Sequence, residues 1–239
     1  MTPDIAQVWV YLQTTPLLWL TATFLAYLLG VQAQSWAKGA PWVSPVLIAV
    51  ALLIAALSVT GVSYGAYFDG AQFIHFLLGP TTVALAVPLW RNRQMVRRAW
   101  KAMAGALVAG SLTAIVSTLA IGWAMGASPL TLASLAPKSV TTPIAMGVSE
   151  KIGGLPSLTA AAVIATGILG SMVVTPLFNA FGLTDWRARG FAAGVAAHGI
   201  GTARAFQVNE IAGAFAGVAL ALNGLVTALL APLLFSLIR

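Results

Sequence analysis

Six stretches without a formal charge dominate this sequence: residues 5–37, 39–68, 70–90, 102–137, 152–184 and 211–238. Each is long enough to cross an apolar slab of about 30 Å, which takes roughly 20 helical residues. Backbone N–H and C=O groups in hydrocarbon must find partners within the protein, so only helices or closed barrels can span it. A barrel would show segments of about 10 residues alternating in polarity. That alternation is absent, and the expected fold class is all-α: a polytopic membrane helical bundle.

Charged residues make up 7% of the chain and apolar ones 59%, with a mean hydropathy of +0.93. A soluble domain carries about 25% charged residues. The net charge of +7 does not point to nucleic acid. Its one dense cluster, Arg91, Arg93, Arg97, Arg98 and Lys101, lies between two apolar segments and reads as a cytoplasmic loop under the positive-inside rule. With no cysteine, the chain offers no disulfide, thiolate metal site or cysteine nucleophile. Met1-Thr2-Pro3-Asp4 lacks the basic start of a cleavable signal peptide, so the first apolar segment reads as a true span.

Eight apolar segments follow, at about 17–34, 43–60, 70–90, 101–124, 129–149, 157–180, 187–206 and 210–237. Nothing marks a linker, so a single transmembrane domain over 1–239 is expected, with repeats at 17–124 and 129–237. A cytoplasmic basic cluster puts the N-terminus outside. A crossing fifth segment would carry Arg187, Arg189 and Arg239 outside, whereas a re-entrant one would return them to the inside. Seven or eight spans are therefore open.

Three segments carry helix-breaking chemistry: His75 to Val83, Ala136 to Pro143, and Ala197 to Arg204. Pro80-Thr81-Thr82-Val83-Ala84 faintly echoes Pro137-Lys138-Ser139-Val140-Thr141. Paired interruptions of this kind point to repeats whose broken helices meet at a binding site.

Pro137 and Pro143 bracket a lysine and three hydroxyls. Proline removes a donor and disfavours helix at the residue before it. The chain is expected to unwind near Pro137 and restart as a half-helix with Lys138 to Thr142 in its first turn. The unpaired N–H groups and positive dipole end there favour an anion, to which Ser139, Thr141 and Thr142 would add hydroxyls and Lys138 a charge. The plainer alternative is hydroxyls that cap or bridge helices and a lysine that snorkels.

In the third motif, Gly199 and Gly201 permit close approach or unwinding, beside Thr202. Arg204 can grip a carboxylate with two bonds. His198 either packs through a hydrogen bond or relays a proton. Gly79, Pro80 and Thr82 read as a supporting wall without charge, and His75 as a packing histidine. Glu210 reads as an N-terminal helix carboxylate, with ion coupling as the other option. No paired carboxylates, metal-ligand pair, nucleophile elbow or phosphate loop is present, so no enzyme activity is expected. Trp36, Trp42, Trp90 and Trp100 sit near segment ends as interfacial residues.

The runs Leu78 to Leu89, Pro137 to Ala145 and His198 to Arg204 closely resemble the signatures of the LrgB/CidB family, a likeness that covers the chain from about residue 15 to its end. The resemblance implies a bacterial inner-membrane protein acting beside an LrgA/CidA-like partner. It also implies kinship with a plastidal glycolate/glycerate translocator and with the cation/proton antiporter and bile-acid symporter fold, in which inverted repeats cross two discontinuous helices. Some relatives differ at Thr81, Gly199 and Gln207, which leaves the coupling ion open.

The expected function is secondary transport of small carboxylates (glycolate, glycerate or pyruvate) by alternating access. Lys138, Ser139, Thr141, Thr142, Thr202, Thr82 and Arg204 would hold the substrate. No cofactor is expected beyond a coupling proton or sodium ion. The alternative is an antiholin-like regulator of murein hydrolase export and lysis. Homo-oligomer formation stays open.

Overall fold

The computed structural model describes residues 16–77, 80, 83–84 and 86–237. Among them the chain is all-helical, with no strand. Its helices are α1 (Pro16–Trp36), α2 (Pro45–Thr60), α3 (Tyr64–Phe76), α4 (Ala86–Arg91), α5 (Arg93–Ala124), α6 (Pro129–Leu135), α7 (Thr142–Lys151), α8 (Pro156–Ala180), α9 (Trp186–Val208) and α10 (Glu210–Ser236). Local chemistry sets most boundaries. Pro45, Pro129 and Pro156 stand in the first turns of α2, α6 and α8, where a missing N–H costs nothing. Ser44, Ser128, Asp185 and Asn209 cap α2, α6, α9 and α10 through their side chains, each satisfying an otherwise orphaned N–H.

The chain divides into two compact units, Met1–Ala84 and Leu85–Arg239. The first closes on itself because its helices find their partners among themselves. Trp19 of α1 meets Tyr67 of α3 edge to face at 5.8 Å, and Thr23 Oγ1 lies 3.2 Å from the Tyr67 hydroxyl. Gly30 lets α1 approach the backbone of Pro45 at the start of α2. Gln34 Nε2 donates to Val43 O at 3.0 Å, closing the turn between them.

In the second unit, α5, α8 and α10 have 32, 25 and 27 residues, or about 48, 37 and 40 Å of helix. Together with α1 they are the four described helices long and apolar enough to cross a membrane. Leu225, Leu229 and Leu233 of α10 lie on one face and are 68, 69 and 63% exposed, while Phe215, Ala216, Ala219 and Asn223 on other faces are buried. An apolar stripe left bare in this way suits contact with lipid rather than water.

The fifth and seventh apolar segments behave differently, because both fold back. In the fifth, α6 and α7 have seven and ten residues, about 10 and 15 Å, too short to cross. Leu132 of α6 lies against Gly122 near the end of α5, and Gly154, just beyond α7, lies against Ala133 and Ser134. This hairpin thus begins and ends at the same end of the unit. Thr159 near the start of α8 pins it there, donating to Ser134 O (2.9 Å) and Ser149 Oγ (2.7 Å).

The seventh segment reverses at His198, whose φ of 41° and ψ of −130° interrupt α9. Ala193 on one limb clusters with Ala205 on the other. These residues would stand about 18 Å apart on an unbroken helix. Gly190 abuts Ala212 and Gly194 abuts Ala216, so the 186–197 limb runs alongside α10 in the same direction and the 199–208 limb runs against it. The two hairpins enter from opposite ends of the unit.

These close approaches depend on glycine. A Cβ at Gly190 would meet the carbonyl of Ala212, whereas one at Gly105 would meet nothing within 4 Å. Gly190→Val is expected to lower stability by about 1–3 kcal/mol, and Gly105→Ala to leave it unchanged or slightly raised. Thermal unfolding of the detergent-solubilised protein measures both; equal melting temperatures for the two variants would contradict the packing described.

Candidate functional site

Asn223 stands in the middle of α10 and is 1% exposed. Its Nδ2 donates to Ser139 O in the turn of the first hairpin and to Val195 O beside the break of the second, both at 3.0 Å. Its Oδ1 accepts from Ser111 Oγ of α5 (2.6 Å) and from Thr227 Oγ1 (3.4 Å). A primary amide has two donor hydrogens and two acceptor lone pairs, and here all four are engaged. In an unbroken helix Val195 O would receive the N–H of Gly199. The backbone of His198 takes the chain out of that register, and Asn223 supplies a donor in its place. One side chain thereby ties both broken segments to α5 and α10.

The first break comprises residues 136–141, between α6 and α7. The half-helix restarts at Thr142 rather than at Lys138, because Pro143 stands in the first turn of α7, a position proline favours. Lys138 therefore sits in the turn itself, half-buried, with its N–H on Leu135 O at 3.1 Å. Ser139 is buried, and Thr141 and Thr142 are half-buried. Thr141 is the N-cap residue of α7 but makes no side-chain capping bond. Pro137 is enclosed and Pro143 exposed.

The second break falls on His198 and not on either glycine of its motif. Gly201 packs closely on the carbonyl of Ala193, while Gly199 has open space around it; neither has positive φ. His198 holds the strained conformation through its ring. Its Nε2 lies 2.9 Å from Val163 O of α8, and because a carbonyl only accepts, the imidazole N–H donates there. The absence of a side chain at Gly167 leaves room for the ring. Thr202 Oγ1 donates to His198 O at 2.8 Å, inside the same motif.

The structure brings Lys138, Ser139, Thr141 and Thr142 together, and joins them through Asn223 to the His198 break. Arg204 stands elsewhere. The reversal of α9 carries it toward Trp186, Arg189 and Ala212, and Ala212 lies 11 residues before Asn223, about 16 Å along α10. Glu210 is exposed in the first turn of α10, where a carboxylate meets the positive end of the helix dipole. Pro80 is exposed; Gly79 and Thr82 lie outside the described residues, as does the side chain of His75. No group of three or more metal-ligating side chains is present among the described residues.

Asn223 escaped the sequence reading although a signal existed: it is the one amide inside the 27-residue helix α10, and a polar side chain in an apolar helix needs a partner. Asn223→Leu should lower stability by about 2–4 kcal/mol, since two buried carbonyls lose a donor at about 1–3 kcal/mol each. Ser111→Ala should cost about 1 kcal/mol. Chemical or thermal denaturation in detergent measures both, and a wild-type value for Asn223→Leu would remove the amide from this role.

A profile of the LrgB-like family matches residues 23–237. A protein of Bacillus subtilis strain 168, YwbG, is 34% identical over 219 residues, covering 91% of this chain and 97% of that protein. A protein of Haemophilus influenzae is 35% identical over 188 residues, covering 78% and 81%. The antiholin-like protein LrgB of Bacillus mycoides is 30% identical over 219 residues, covering 92% and 95%. No solved structure matches. With the match extending over nearly the whole length, both hairpins and Asn223 included, this chain belongs to the LrgB-like family.

Proposed function

We propose that the chain is an antiholin-like membrane regulator. The observation that supports this is the name of its relatives, antiholin-like protein LrgB, carried by proteins aligned over 92% of this chain. In this reading the protein acts beside an LrgA-type partner in the bacterial inner membrane and restrains murein hydrolase export. The arrangement that goes with it has α5, α8 and α10 crossing the bilayer and the two hairpins entering from opposite faces, as inverted repeats would. The Arg91 to Lys101 cluster and Arg187 then lie on the cytoplasmic side, with the N-terminus outside.

A second reading, a carrier for small carboxylates, is favoured by one feature of the geometry. Two oppositely directed broken segments meet at Asn223, and a lysine sits in the unwound turn of one of them. Non-helical backbone at membrane depth is tolerated where protein buries it or where it lines a cavity, and an ionisable residue placed there is costly unless it serves a function. A substrate carboxylate on Lys138 and the first-turn N–H groups of α7 would be exchanged across the membrane by rocking of one part against another, with a proton or sodium ion as the coupling ion. Arg204 and Glu210 have no part in such a site.

Lys138→Ala separates the readings. In cells lacking the native gene, the variant should delay autolysis as well as the wild type does, measured as optical density after hydrolase induction. In proteoliposomes, uptake of labelled glycolate, glycerate and pyruvate by either protein should then stay at background. Saturable uptake by the wild type that Lys138→Ala loses, with loss of the delay in autolysis, would replace the regulator with the carrier.

A further inference from the structure

Arg204 closes the third sequence motif but has no part in the Asn223 junction. The reversal at His198 gives it a different neighbour. Arg189 stands on the first limb of α9 and Arg204 on the second, and on an unbroken helix they would lie about 22 Å apart. Here both line one cavity of about 20 Å³, closed by Thr175 of α8 and Ala212 of α10. That volume holds roughly one water-sized atom. The limbs approach because Gly190 places no side chain against Ala212 and because Ala193 and Ala205 pack on one another. Two guanidinium groups distant in sequence therefore border the same small space.

Both arginines are half-buried, and a guanidinium does not lose its proton in a protein. Arg189 is fixed in place: its Nε donates to Leu183 O at 2.6 Å, and its guanidinium lies 5.0 Å from the Trp186 ring and 6.0 Å from the Phe178 ring. Its two terminal nitrogens carry the other four N–H groups. Arg204 Nη1 donates to Gln207 Oε1 at 3.4 Å. Among the described residues no carboxylate lines the cavity; Asp185 is paired with Arg187, and Glu210 is exposed in the first turn of α10. Like charges across a partly desolvated gap repel, and an anion between them removes that repulsion. The donor geometry selects the kind of anion. A guanidinium grips an oxyanion through two parallel bonds, so two of them on different limbs need two pairs of oxygens. A carboxylate offers one pair. A tetrahedral phosphate group offers both, with one oxygen seated in the cavity and the rest at its mouth.

We infer that Arg189 and Arg204 form a binding site for a phosphate group at the open end of the second hairpin. Its negative charge offsets the two guanidinium charges, and its oxygens tie the two limbs of α9 together. The cavity touches α10 at Ala212, about 16 Å along that helix from Asn223. The site is therefore separate from the junction and does not depend on whether the chain regulates or transports.

The test is thermal unfolding of the full chain in detergent, in sodium phosphate and in sodium chloride at equal ionic strength and pH. Wild-type protein should melt about 2–4 °C higher in phosphate. Arg189→Gln and Arg204→Gln should each lose that rise, whatever their own melting temperatures, while Arg187→Gln, which does not line the cavity, should keep it. A parallel arm compares mixed micelles containing phosphatidylglycerol with micelles containing phosphatidylcholine. A rise with phosphatidylglycerol but not with inorganic phosphate, lost in both cavity variants, would keep the site and assign its phosphate to a lipid headgroup. A wild-type protein that neither inorganic phosphate nor phosphatidylglycerol stabilises over its control would overturn the inference, whether or not the variants fold. So would a rise that Arg189→Gln and Arg204→Gln both retain.

Discussion

A helix interrupted inside a bilayer leaves backbone groups that no water can reach, and each one left unpaired there costs several kcal/mol. The second unit of this protein contains two such interruptions, and the Asn223 amide answers both of them at once. Its two donors reach one carbonyl at each break, and its carbonyl oxygen is held by hydroxyls from α5 and from its own helix. The opposed hairpins depend on this junction, because neither limb of either hairpin is long enough to hold itself across the apolar slab.

Around that junction the packing is made by small residues. Gly190 and Gly194 let the first limb of α9 lie directly on α10, Gly170 accepts Ala197, and Gly167 makes room for the His198 ring. In hydrocarbon there is no hydrophobic drive to join one apolar helix to another, and close backbone approach with dispersion contact takes its place. The buried hydroxyls Ser134, Ser149 and Thr159 do for the base of the first hairpin what Asn223 does for its tip.

The residues read from the sequence as a carboxylate constellation fall in two places. Lys138 and its neighbouring hydroxyls do occupy an unwound turn, but the helix restarts four residues later than expected. The third motif contributes its backbone break rather than its arginine. Arg204 lies on the returning limb near Ala212, a residue about 16 Å along α10 from the junction. A motif written along the chain gives no direction in space, and a reversal at one residue moves everything after it.

By itself the sequence determined the helical class, the membrane setting, the family and the bounds of α1, α2, α8, α9 and α10; it placed the start of α5 eight residues late, because that helix carries the charged run Arg93 to Lys101, expected as a loop, in its first turns. Uncharged length, proline position and capping side chains act locally or through composition, and both are legible along the chain. It also marked Pro137 to Pro143 and His198 to Arg204 as places where a plain helix fails. Only the tertiary structure decided that both segments turn back, that the second break falls on His198 rather than on Gly199, and that Asn223 joins them. Each of these depends on a partner 28 to 84 residues away, and the periodicity of one helix carries no information about which distant carbonyl its one amide will find.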